Sequence, residues 1–388
     1  MVLALIKDSL NIHMKKGDFL MKGKVAVMVE PMKMEFREYD LPEPEKGAVL
    51  LRVTRTNVCG SELHIWRGEH PTKRKGVLGH EMVGVVEKLG EGVTTDFAGR
   101  PIKEGDRVAT VYYLTCRKCN MCLKGHFHLC ESAYNFWNKD PEEAPHFHGT
   151  FASHYYIHPD MFFYKVPDNV PDIAAASANC ALSQVYFGLD KSGISYGDTL
   201  VIQGAGGLGL NATAVAKEKG ASVIIIDAVE SRLEMAKKFG ADHTISIAEY
   251  DTAEKRAAAV RELTNGLGAD TGIELSGVPA AFHEGIHLVR SGGKYITIGN
   301  VSPGKYTDFD PGLLTRKSIE IKAIVRYDPW YLDKALQFLS RNIDKYPFAN
   351  MMDGEFEFDN IQEALDKSAS REVTRASIVL PVRVAAEN

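Results

Sequence analysis

The sequence lacks the uninterrupted apolar run of roughly 18–20 residues that a membrane-spanning helix requires. It also lacks a block of basic residues, and its formal net charge is −5. Nucleic acid and anionic membrane are therefore not expected partners. The apolar start at residues 2–6 is short and is followed by Lys7 and Asp8, unlike a secretory signal. We expect a cytoplasmic protein whose residues 1–20 form an N-terminal extension, with an upstream start codon as the alternative.

Cysteine is also scarce, because the 388 residues include only six. Four of them lie between positions 116 and 130, and the other two are Cys59 and Cys180. A disulfide framework is unusual in a chain of this size without an export signal, whereas clustered cysteines suit metal binding in a cytosolic enzyme. We therefore predict a metal-binding role for every cysteine.

The first half of the chain has the composition of a β-rich unit. Short apolar and β-branched runs predict strands at 24–29, 48–56, 82–88 and 106–110. Glycine and proline separate these runs, and no long helix is predicted. Residues 111–150 are rich in cysteine and histidine, which predicts a metal-bound lobe followed by a loop.

The second half changes to alternating helices and strands. A helix is predicted at 174–189, and an apolar strand at 199–203 leads into a glycine-rich turn. A helix at about 210–219 and a strand at 222–227 follow. Strand, turn, helix and strand in about thirty residues make a βαβ unit. The alternation continues to about residue 323, which predicts a doubly wound parallel sheet and an α/β fold class.

Three separated residues are candidates for a catalytic zinc site. Zinc binds cysteine sulfur and histidine nitrogen, and a catalytic zinc keeps three protein ligands and one open position. Cys59 and His80 supply two ligands, and Cys180 is a good candidate for the third. Each alone has a plainer explanation, because a lone cysteine is most often a small buried apolar side chain and a lone histidine is more often a structural hydrogen-bonding group.

A second cysteine group has the spacing of a structural metal site. Cys116, Cys119, Cys122 and Cys130 supply four thiolates at close spacing, which suits a closed tetrahedral zinc site. An iron–sulfur cluster is the rival, since short Cys-x-x-Cys spacings also hold clusters. The Cys-Pro that often closes the bacterial cluster pattern is missing, because Glu131 follows the last cysteine. We therefore favour zinc.

The glycine-rich turn predicts a dinucleotide site, because it follows a strand and opens a helix. Gly204 permits the tight turn, Gly206 lets the backbone approach a pyrophosphate, and Gly209 lets helix and strand pack closely. Asp227, at the end of the next strand, is placed to bind ribose hydroxyls and to repel a 2′-phosphate, which favours NAD over NADP. Arg232 weakens that preference, because a basic residue nearby could partly accommodate the 2′-phosphate. The alternative role for Asp227 is that of a turn or helix-cap residue. The turn also contains Gly207 and Leu208.

Polar residues beside the zinc candidates suit support of the metal and proton transfer. Glu81, next to His80, is expected to support the metal site or to bind the metal occasionally. Loss of a hydride to a nicotinamide also requires loss of a proton, which needs a route from a buried metal to water. Ser61 is placed to accept that proton, and His64 to pass it outward at near-neutral pH.

With these motifs in this order, the sequence resembles the zinc-containing medium-chain dehydrogenase/reductase family, in its alcohol dehydrogenase-like group. The resemblance runs from about residue 22 to 382. It rests on Gly-His-Glu-Met-Val-Gly at 79–84, Gly-Asp-Arg-Val at 105–108, the four-cysteine group and the glycine-rich turn.

The resemblance implies two domains with the active site in the cleft between them. A GroES-like β-rich catalytic domain is expected at 21–180 and 328–388, with a structural-zinc lobe at 112–132. A Rossmann domain that binds NAD is expected at 181–327. Homodimers or homotetramers that form through the Rossmann domains are also implied.

The resemblance assigns roles to individual positions. Cys59, His80 and Cys180 match the catalytic zinc ligands, the Cys₂His set known from alcohol dehydrogenase, while Ser61 and His64 match the proton relay. The positions that match cofactor contacts are Ser276, Val278, Gly299, Asn300, Val301 and Arg375. The aromatic residues expected to wall the substrate pocket, unless they are plain packing, are Trp66, Tyr134, Phe136, Trp137 and Phe147.

Together these features predict an NAD- and zinc-dependent oxidoreductase. It is expected to interconvert a primary, secondary or polyol alcohol with its aldehyde or ketone, and to hold two zinc ions per subunit. Two alternatives stay open, a metal-independent reductase of the enone or quinone type and a non-catalytic zinc-stabilised binding protein. The identity of the small-molecule substrate does not follow from the sequence.

Overall fold

The computed structural model describes residues 21–69, 75–299 and 303–381. The predicted features that lie outside the described residues are the extension at 1–20, Asn300 and Val301. Within the described ranges the strands form three sheets, of three, seven and six strands. No helix of these ranges is long and apolar enough to cross a membrane.

The β-rich half contains the predicted strands with shifted ends. Its elements in chain order are β1 (Lys22–Glu30), β2 (Lys33–Asp40), β3 (Val49–Asn57), α1 (Gly60–Trp66), β4 (Gly76–Val77), β5 (Glu81–Leu89), β6 (Arg107–Thr110), α2 (Asn120–Leu123), β7 (His154–Ile157) and β8 (Phe163–Lys165). Strand β2 was not predicted, because it is mostly exposed and polar. Helix α1 was not predicted either, because its N-cap residue is Cys59 rather than one of the usual cap residues.

The second half forms a six-stranded parallel sheet in the order β11-β10-β9-β12-β13-β14. Its elements are α3 (Asp172–Ala175), α4 (Ser183–Ser192), β9 (Thr199–Gln203), α5 (Gly207–Glu218), β10 (Ser222–Asp227), α6 (Glu230–Lys238), β11 (His243–Ser246), α7 (Ala253–Leu263), β12 (Ala269–Glu274), α8 (Pro279–Leu288), β13 (Val289–Thr297), α9 (Pro311–Lys317) and β14 (Glu320–Ala323). This is the doubly wound order, in which ligands bind beyond the carboxyl ends of β9 and β12, where the strand order reverses.

The single helix predicted at 174–189 is divided in the structure. Helices α3 and α4 are separated by one turn of π-helix at Ala178–Leu182. The whole run is rich in alanine and apolar residues, so its composition favours a helix without showing where the ladder of hydrogen bonds changes. The π-helical turn contains Cys180, so the turn decides where this candidate metal ligand lies.

The C-terminal segment returns to the seven-stranded sheet. Its elements are α10 (Trp330–Asn342), β15 (Gly354–Glu357), α11 (Ile361–Ser370) and β16 (Ala376–Val379). Strand β16 runs antiparallel to β3 with Ser377 opposite Asn57, and Asn57 is also opposite Glu81 of β5. The end of β3 and the beginnings of β5 and β16 are therefore adjacent, which places Cys59, Glu81 and Arg375 side by side.

Candidate active site

The described residues contain a group of potential metal ligands that the predictions anticipated. The ligand atoms of Cys59, His80, Glu81 and Cys180 all lie within 4.8 Å of one another. The two sulfur atoms are 3.8 Å apart, and His80 Nε2 lies 3.3 Å from Cys180 Sγ. The structure thus brings together the three predicted catalytic ligands and the carboxylate expected beside them.

Cys59 is held at the start of α1, directly after β3. Its backbone is extended, with φ −83° and ψ 150°, as an N-cap residue requires. Three residues on, the Glu62 carboxylate accepts a hydrogen bond from the Cys59 backbone N–H at 3.0 Å, as in a capping box. The Ser61 hydroxyl donates to Cys59 Sγ at 3.4 Å. The helix start therefore fixes the position of the Cys59 sulfur.

The same Glu62 side chain orients His80. It is fully buried, and its second oxygen lies 3.0 Å from His80 Nδ1. An ionised carboxylate only accepts hydrogen bonds, so Nδ1 donates and Nε2 is left for the sulfur side. Burial disfavours a charged ring, but Glu62 and Cys59 together outweigh it and raise the pKa of His80 well above its usual range. Sequence reasoning missed Glu62, although its place three residues after a candidate ligand was visible.

Cys180 is positioned by its neighbour Asn179, which sequence reasoning also missed. Asn179 is fully buried, and its Nδ2 donates to the carbonyl oxygens of His80 and Thr110 at 2.8 and 2.9 Å. These bonds tie the π-helical turn to β5 and β6. The hydrogen bond between the two thiols lowers the pKa of Cys59 and raises that of Cys180. Single π turns occur frequently at functional sites.

Glu81 is fully buried and pairs with a buried arginine. Its Oε2 accepts a hydrogen bond from Arg375 Nη2 and lies 3.3 Å from Asn57 Nδ2. Its Oε1 has no hydrogen-bond partner among the described residues. Burial raises the pKa of Glu81 to about 7, and the Arg375 guanidinium opposes that rise. A buried carboxylate oxygen without a partner, beside three potential ligands, fits a metal site.

The donor set as a whole fits zinc. Two sulfurs and one imidazole nitrogen are donors that zinc prefers, and three protein donors leave a fourth position for another ligand. Binding requires deprotonated sulfurs and a neutral His80 ring, so uptake of the metal would release protons.

The predicted relay residues lie one helical turn apart on α1, which makes them neighbours on the helix surface. Ser61 contacts the sulfur of Cys59. The His64 side chain is 31% exposed, and its Nδ1 lies 2.9 Å from Glu69 Oε2. Ser61 therefore contacts the metal-ligand group, and His64, one turn further along the helix, is open to solvent.

The glycine-rich turn forms between β9 and α5, as predicted. Gly204 has φ +107°, a conformation that favours glycine. A Cβ on Gly209 would overlap the carbonyl oxygen of Gly204, whereas one on Gly206 would meet nothing within 4 Å. The start of α5 is therefore open, and helix starts offer free N–H groups to phosphates.

Arg375 lies against this turn. A Cβ on Gly207 would collide with Nη1 of Arg375, so this guanidinium touches both the turn and Glu81. The first residues of α5 are Gly207, Leu208 and Gly209.

Asp227 ends β10 and is engaged in the turn itself. Its two oxygens accept hydrogen bonds from the backbone N–H groups of Ala205 and Val229 at 2.7 and 2.9 Å. Each oxygen keeps a second lone pair for another donor, so the turn role and a ribose contact are compatible. Arg232 follows on α6, and its side chain has no hydrogen bond or ion pair within the described part of the chain.

The other described cofactor candidates lie at the carboxyl ends of β12 and β13. Ser276 donates from its hydroxyl and its N–H to Glu274 Oε1 at 2.9 and 2.7 Å. The N–H of Gly299 donates to the Glu274 carbonyl at 3.1 Å, and Val278 is 54% exposed. These residues lie at the same edge of the six-stranded sheet as the glycine-rich turn, next to the point where the strand order reverses.

The four lobe cysteines form a second group of potential ligands within 4.8 Å of one another. The backbone N–H groups of Cys116 and Cys119 donate to the sulfurs of Cys130 and Cys116, both at 3.3 Å. Hydrogen bonding from the Glu131 backbone holds the pKa of Cys119 at about 6, whereas burial raises that of Cys122 to about 12. Four sulfurs in this arrangement fit a tetrahedral metal with no open position.

Two family models match the chain, an alcohol dehydrogenase GroES-like domain over residues 45–168 and a zinc-binding dehydrogenase over residues 207–341. The chain is 36% identical over 348 residues to a 5-exo-hydroxycamphor dehydrogenase of Pseudomonas putida, which covers 89% of this chain and 95% of the relative. The chain belongs to the zinc-dependent alcohol dehydrogenase-like family. This membership confirms the predicted GroES-like and Rossmann fold class. It also makes the protein an oxidoreductase that acts on alcohols, and it implies zinc and a nicotinamide cofactor.

Other relatives of the dehydrogenase agree with this assignment. This chain is 32% identical over 342 residues to D-xylulose reductase A of Aspergillus niger, and the match covers 86% of this chain and 90% of the relative. A solved alcohol dehydrogenase from Thermotoga maritima superposes with a TM-score of 0.87 at 29% identity, covering 93% of this chain and 100% of that one.

Three of the aromatic residues expected to wall the substrate pocket of the dehydrogenase are core residues instead. Trp66 and Phe147 have no exposed surface, and Phe136 is 3% exposed. For these three the alternative of plain packing holds, because their rings pack inside the hydrophobic core. Tyr112, which was not predicted, is partly exposed, and its ring centroid lies 4.8 Å from that of His80. The aromatic residues that stay candidates are Tyr134 and Trp137.

Proposed function

We propose that the dehydrogenase uses NAD, and a zinc ion held by Cys59, His80 and Cys180, to interconvert an alcohol with its aldehyde or ketone. The observation that carries this proposal is the convergence of these three ligands with Glu81 within 4.8 Å. They come from distant parts of the chain, so their meeting is a property of the fold and not of local spacing.

When bound, zinc would supply a Lewis acid for the substrate oxygen, and a nicotinamide cofactor would supply a hydride acceptor. The protein orients this chemistry through its own hydrogen bonds. Glu62 fixes the His80 ring, and Arg375 holds Glu81 beside the ligands. Ser61 takes the proton that leaves the substrate hydroxyl, and His64 carries it toward water.

We assign the start of α5 and Arg375 to the diphosphate of the cofactor. Arg375 is only 9% exposed, and its Nε has no hydrogen-bond partner within the described part of the chain. A buried guanidinium with a free donor beside Gly207 suits an anionic group. Because the same side chain bonds Glu81, it would connect cofactor binding with the metal site.

The NAD preference is proposed from Asp227, whose charge disfavours a 2′-phosphate. Arg232 is the residue that would accommodate NADP instead, since its side chain is unpaired among the described residues. Ser276, Val278 and Gly299 are proposed to continue the cofactor surface, together with Asn300 and Val301.

We further propose a second, structural zinc ion in the lobe, which gives two per subunit. Strand β14 is one of the two outer strands of the six-stranded sheet, the other being β11. It therefore offers an edge to a second copy, in support of a homodimer or homotetramer.

Free cysteines in two metal-binding groups suit a reducing compartment such as the cytoplasm.

The substrate class is proposed from the aromatic ring that lies beside His80. The relatives are named for a hydroxycamphor and for D-xylulose, an apolar ring compound and a polyol-derived sugar. The ring of Tyr112 beside His80 favours an alcohol with an apolar body. We therefore place cyclic or branched secondary alcohols ahead of polyols.

A spectrophotometric screen of cofactor reduction tests these proposals. Cyclic, aliphatic, aromatic and polyol alcohols are each assayed with NAD and with NADP, and the Cys59→Ala variant is the control. We expect turnover with NAD, highest for cyclic or branched secondary alcohols, and its loss in the variant while the lobe zinc remains.

Each contrary result has a distinct meaning. Faster turnover with NADP would remove the NAD preference, and full activity in the Cys59→Ala variant would remove the catalytic zinc site. Reduction of enones by metal-free protein would favour the metal-independent reductase. Tight NAD binding without turnover of any alcohol would favour a binding protein.

A further inference from the structure

Glu69 lies just beyond α1, where the helix ends in a fixed turn. Gly68 has φ +73°, and its N–H donates to the Ile65 carbonyl at 2.8 Å. The N–H of Glu69 donates to the His64 carbonyl at 2.9 Å. This pair of bonds is the Schellman motif, in which the residue after the left-handed glycine folds back over the last helical turn.

The turn places the Glu69 carboxylate against the His64 ring. Oε2 lies 2.9 Å from Nδ1, the distance of a charge-assisted hydrogen bond. The hydrogen bond with His64 is the largest of the causes that lower the pKa of Glu69, so the carboxylate is ionised at neutral pH. An ionised carboxylate only accepts, and the proton of the neutral ring therefore lies on Nδ1. No described residue bonds the other nitrogen, Nε2, which is left as a proton acceptor.

The charged groups around this pair come from two segments. Arg67, on the same turn, and Lys305, from the segment after β13, also act on Glu69. Arg67 is itself bonded to the carbonyl of Ala369 at the end of α11. The His64 and Glu69 side chains are 31% and 47% exposed, so the pair meets water directly.

We propose that Glu69 is a positioning residue of the proton path, which sets His64 to accept the substrate proton at Nε2 and stabilises the ring while it carries that proton. The proposal rests on the proposed function, since it needs Ser61 and His64 to act as the relay. In the oxidation the substrate loses a hydride to the nicotinamide and a proton from its hydroxyl. That proton bonds to Nε2 and then leaves to water, and Glu69 stays ionised throughout.

A purely structural role for the pair is the competing explanation. An exposed ion pair contributes little to stability, and the Schellman bonds of this turn are made by the backbone. The Glu69→Gln variant should therefore fold and bind zinc as the unchanged protein does. The readouts that separate the two roles are the pH profile and the tautomer of the His64 ring.

The test compares Glu69→Gln, His64→Asn and the double variant as zinc-loaded enzymes. Glu234→Gln is the matched control, since Glu234 is an exposed carboxylate on α6 that pairs with Lys237. We expect Glu69→Gln to lower kcat at neutral pH about tenfold, less than the roughly 10²–10⁴-fold that a general base itself contributes, because Glu69 acts only through His64. The acid limb of its kcat profile should move down by about half a pH unit or more, because a positive ring is less favoured without the carboxylate.

Two further measurements complete this comparison of the single variants and the double variant. The double variant should be no slower than His64→Asn alone, because Glu69 acts through that ring. ¹⁵N NMR of histidine-labelled protein, assigned with His64→Asn, should show the Nδ1–H form at His64 and a mixture of tautomers in Glu69→Gln.

The outcomes separate failure of this inference from failure of the relay. If Glu69→Gln matched Glu234→Gln in kcat, pH profile and tautomer, the positioning role would be overturned while the relay stood. An additive loss in the double variant would overturn it as well. If His64→Asn kept full kcat across the pH range, the relay itself would fail, and the inference with it.

Discussion

The two cysteine groups of this dehydrogenase are built in opposite ways. The lobe cysteines are close in sequence, and two of their sulfurs accept hydrogen bonds from lobe backbone N–H groups. The catalytic candidates Cys59 and Cys180 are 121 positions apart, and side chains from other segments surround them. A group of ligands that are close in sequence is held by hydrogen bonds of its own segment. A group whose ligands are far apart in sequence depends on the whole fold and contacts residues of other sites.

Charge distribution sharpens this contrast. The catalytic group has two buried carboxylates, Glu62 and Glu81, and the buried guanidinium of Arg375. Glu81 pairs with Arg375, which also touches the glycine-rich turn. The lobe group consists of four sulfurs and has no open position once a metal is bound. The first arrangement is suited to reactivity, and the second to holding a loop in place.

The largest effect is expected from Cys180→Ser. Loss of this sulfur should lower kcat/KM by about 10³-fold or more, because the Lewis acid contributes several kcal/mol to transition-state stabilisation. Zinc content should fall from two ions per subunit to one, with the fold retained. Steady-state kinetics, metal analysis and circular dichroism check this. A variant that kept both ions and its rate would show that Cys180 is not a ligand.

The reciprocal change, Cys122→Ser, should act on stability instead. The Cys122 side chain is buried within the lobe, and loss of the structural metal should lower the free energy of unfolding by about 3 kcal/mol or more. The folded fraction should keep most of its turnover, since the lobe cysteines are not part of the catalytic group. Denaturant unfolding and activity per folded molecule measure the two effects. Loss of activity without loss of stability would break the proposed division of roles.

Glu62→Gln should weaken one metal site and spare the other. The amide can still contact His80 but lacks the charge, and partners of this kind typically change metal affinity about 10- to 100-fold. Chelator competition should therefore reveal one weakened zinc and one unchanged. Glu87→Gln is the control, because Glu87 pairs with Arg52 on the same sheet away from the metal. Equal zinc retention in the two variants would count against an orienting role for Glu62.

Arg375→Lys is expected to have the smallest effect. Lysine keeps the positive charge but loses the guanidinium fork that reaches Glu81 and the turn at once. We expect the KM for NAD to rise about fivefold to tenfold, corresponding to about 1 kcal/mol, with zinc content unchanged. Arg55→Lys is the control, since Arg55 is also mostly buried but bonds Glu355 and Ser377 instead of Glu81. An unchanged KM would separate Arg375 from the cofactor site.

Local patterns in the sequence predicted the parts of the site that local chemistry determines. The spacing of the lobe cysteines and the glycine pattern after β9 were sufficient to predict two groupings that the structure contains. The α/β fold class followed from the change in periodicity between the two halves. The separated candidates Cys59, His80 and Cys180 also meet as predicted.

The rest depends on tertiary packing that no local pattern encodes. The π-helical turn at Cys180 is set by the bonds of Asn179 to two distant carbonyl oxygens. The contact between Glu81 and Arg375 follows from the register of β16 on β3. The sequence left both a pocket role and a core role open for Trp66 for the same reason, because only packing decides whether a ring faces a cleft or the core.

Diffraction from zinc-loaded crystals, recorded on both sides of the zinc absorption edge, tests the central claim most directly. We predict two anomalous peaks per chain, one among the four lobe sulfurs and one bounded by Cys59, His80 and Cys180. A single peak in the lobe, with Cys180 turned away from His80, would contradict the proposed mechanism.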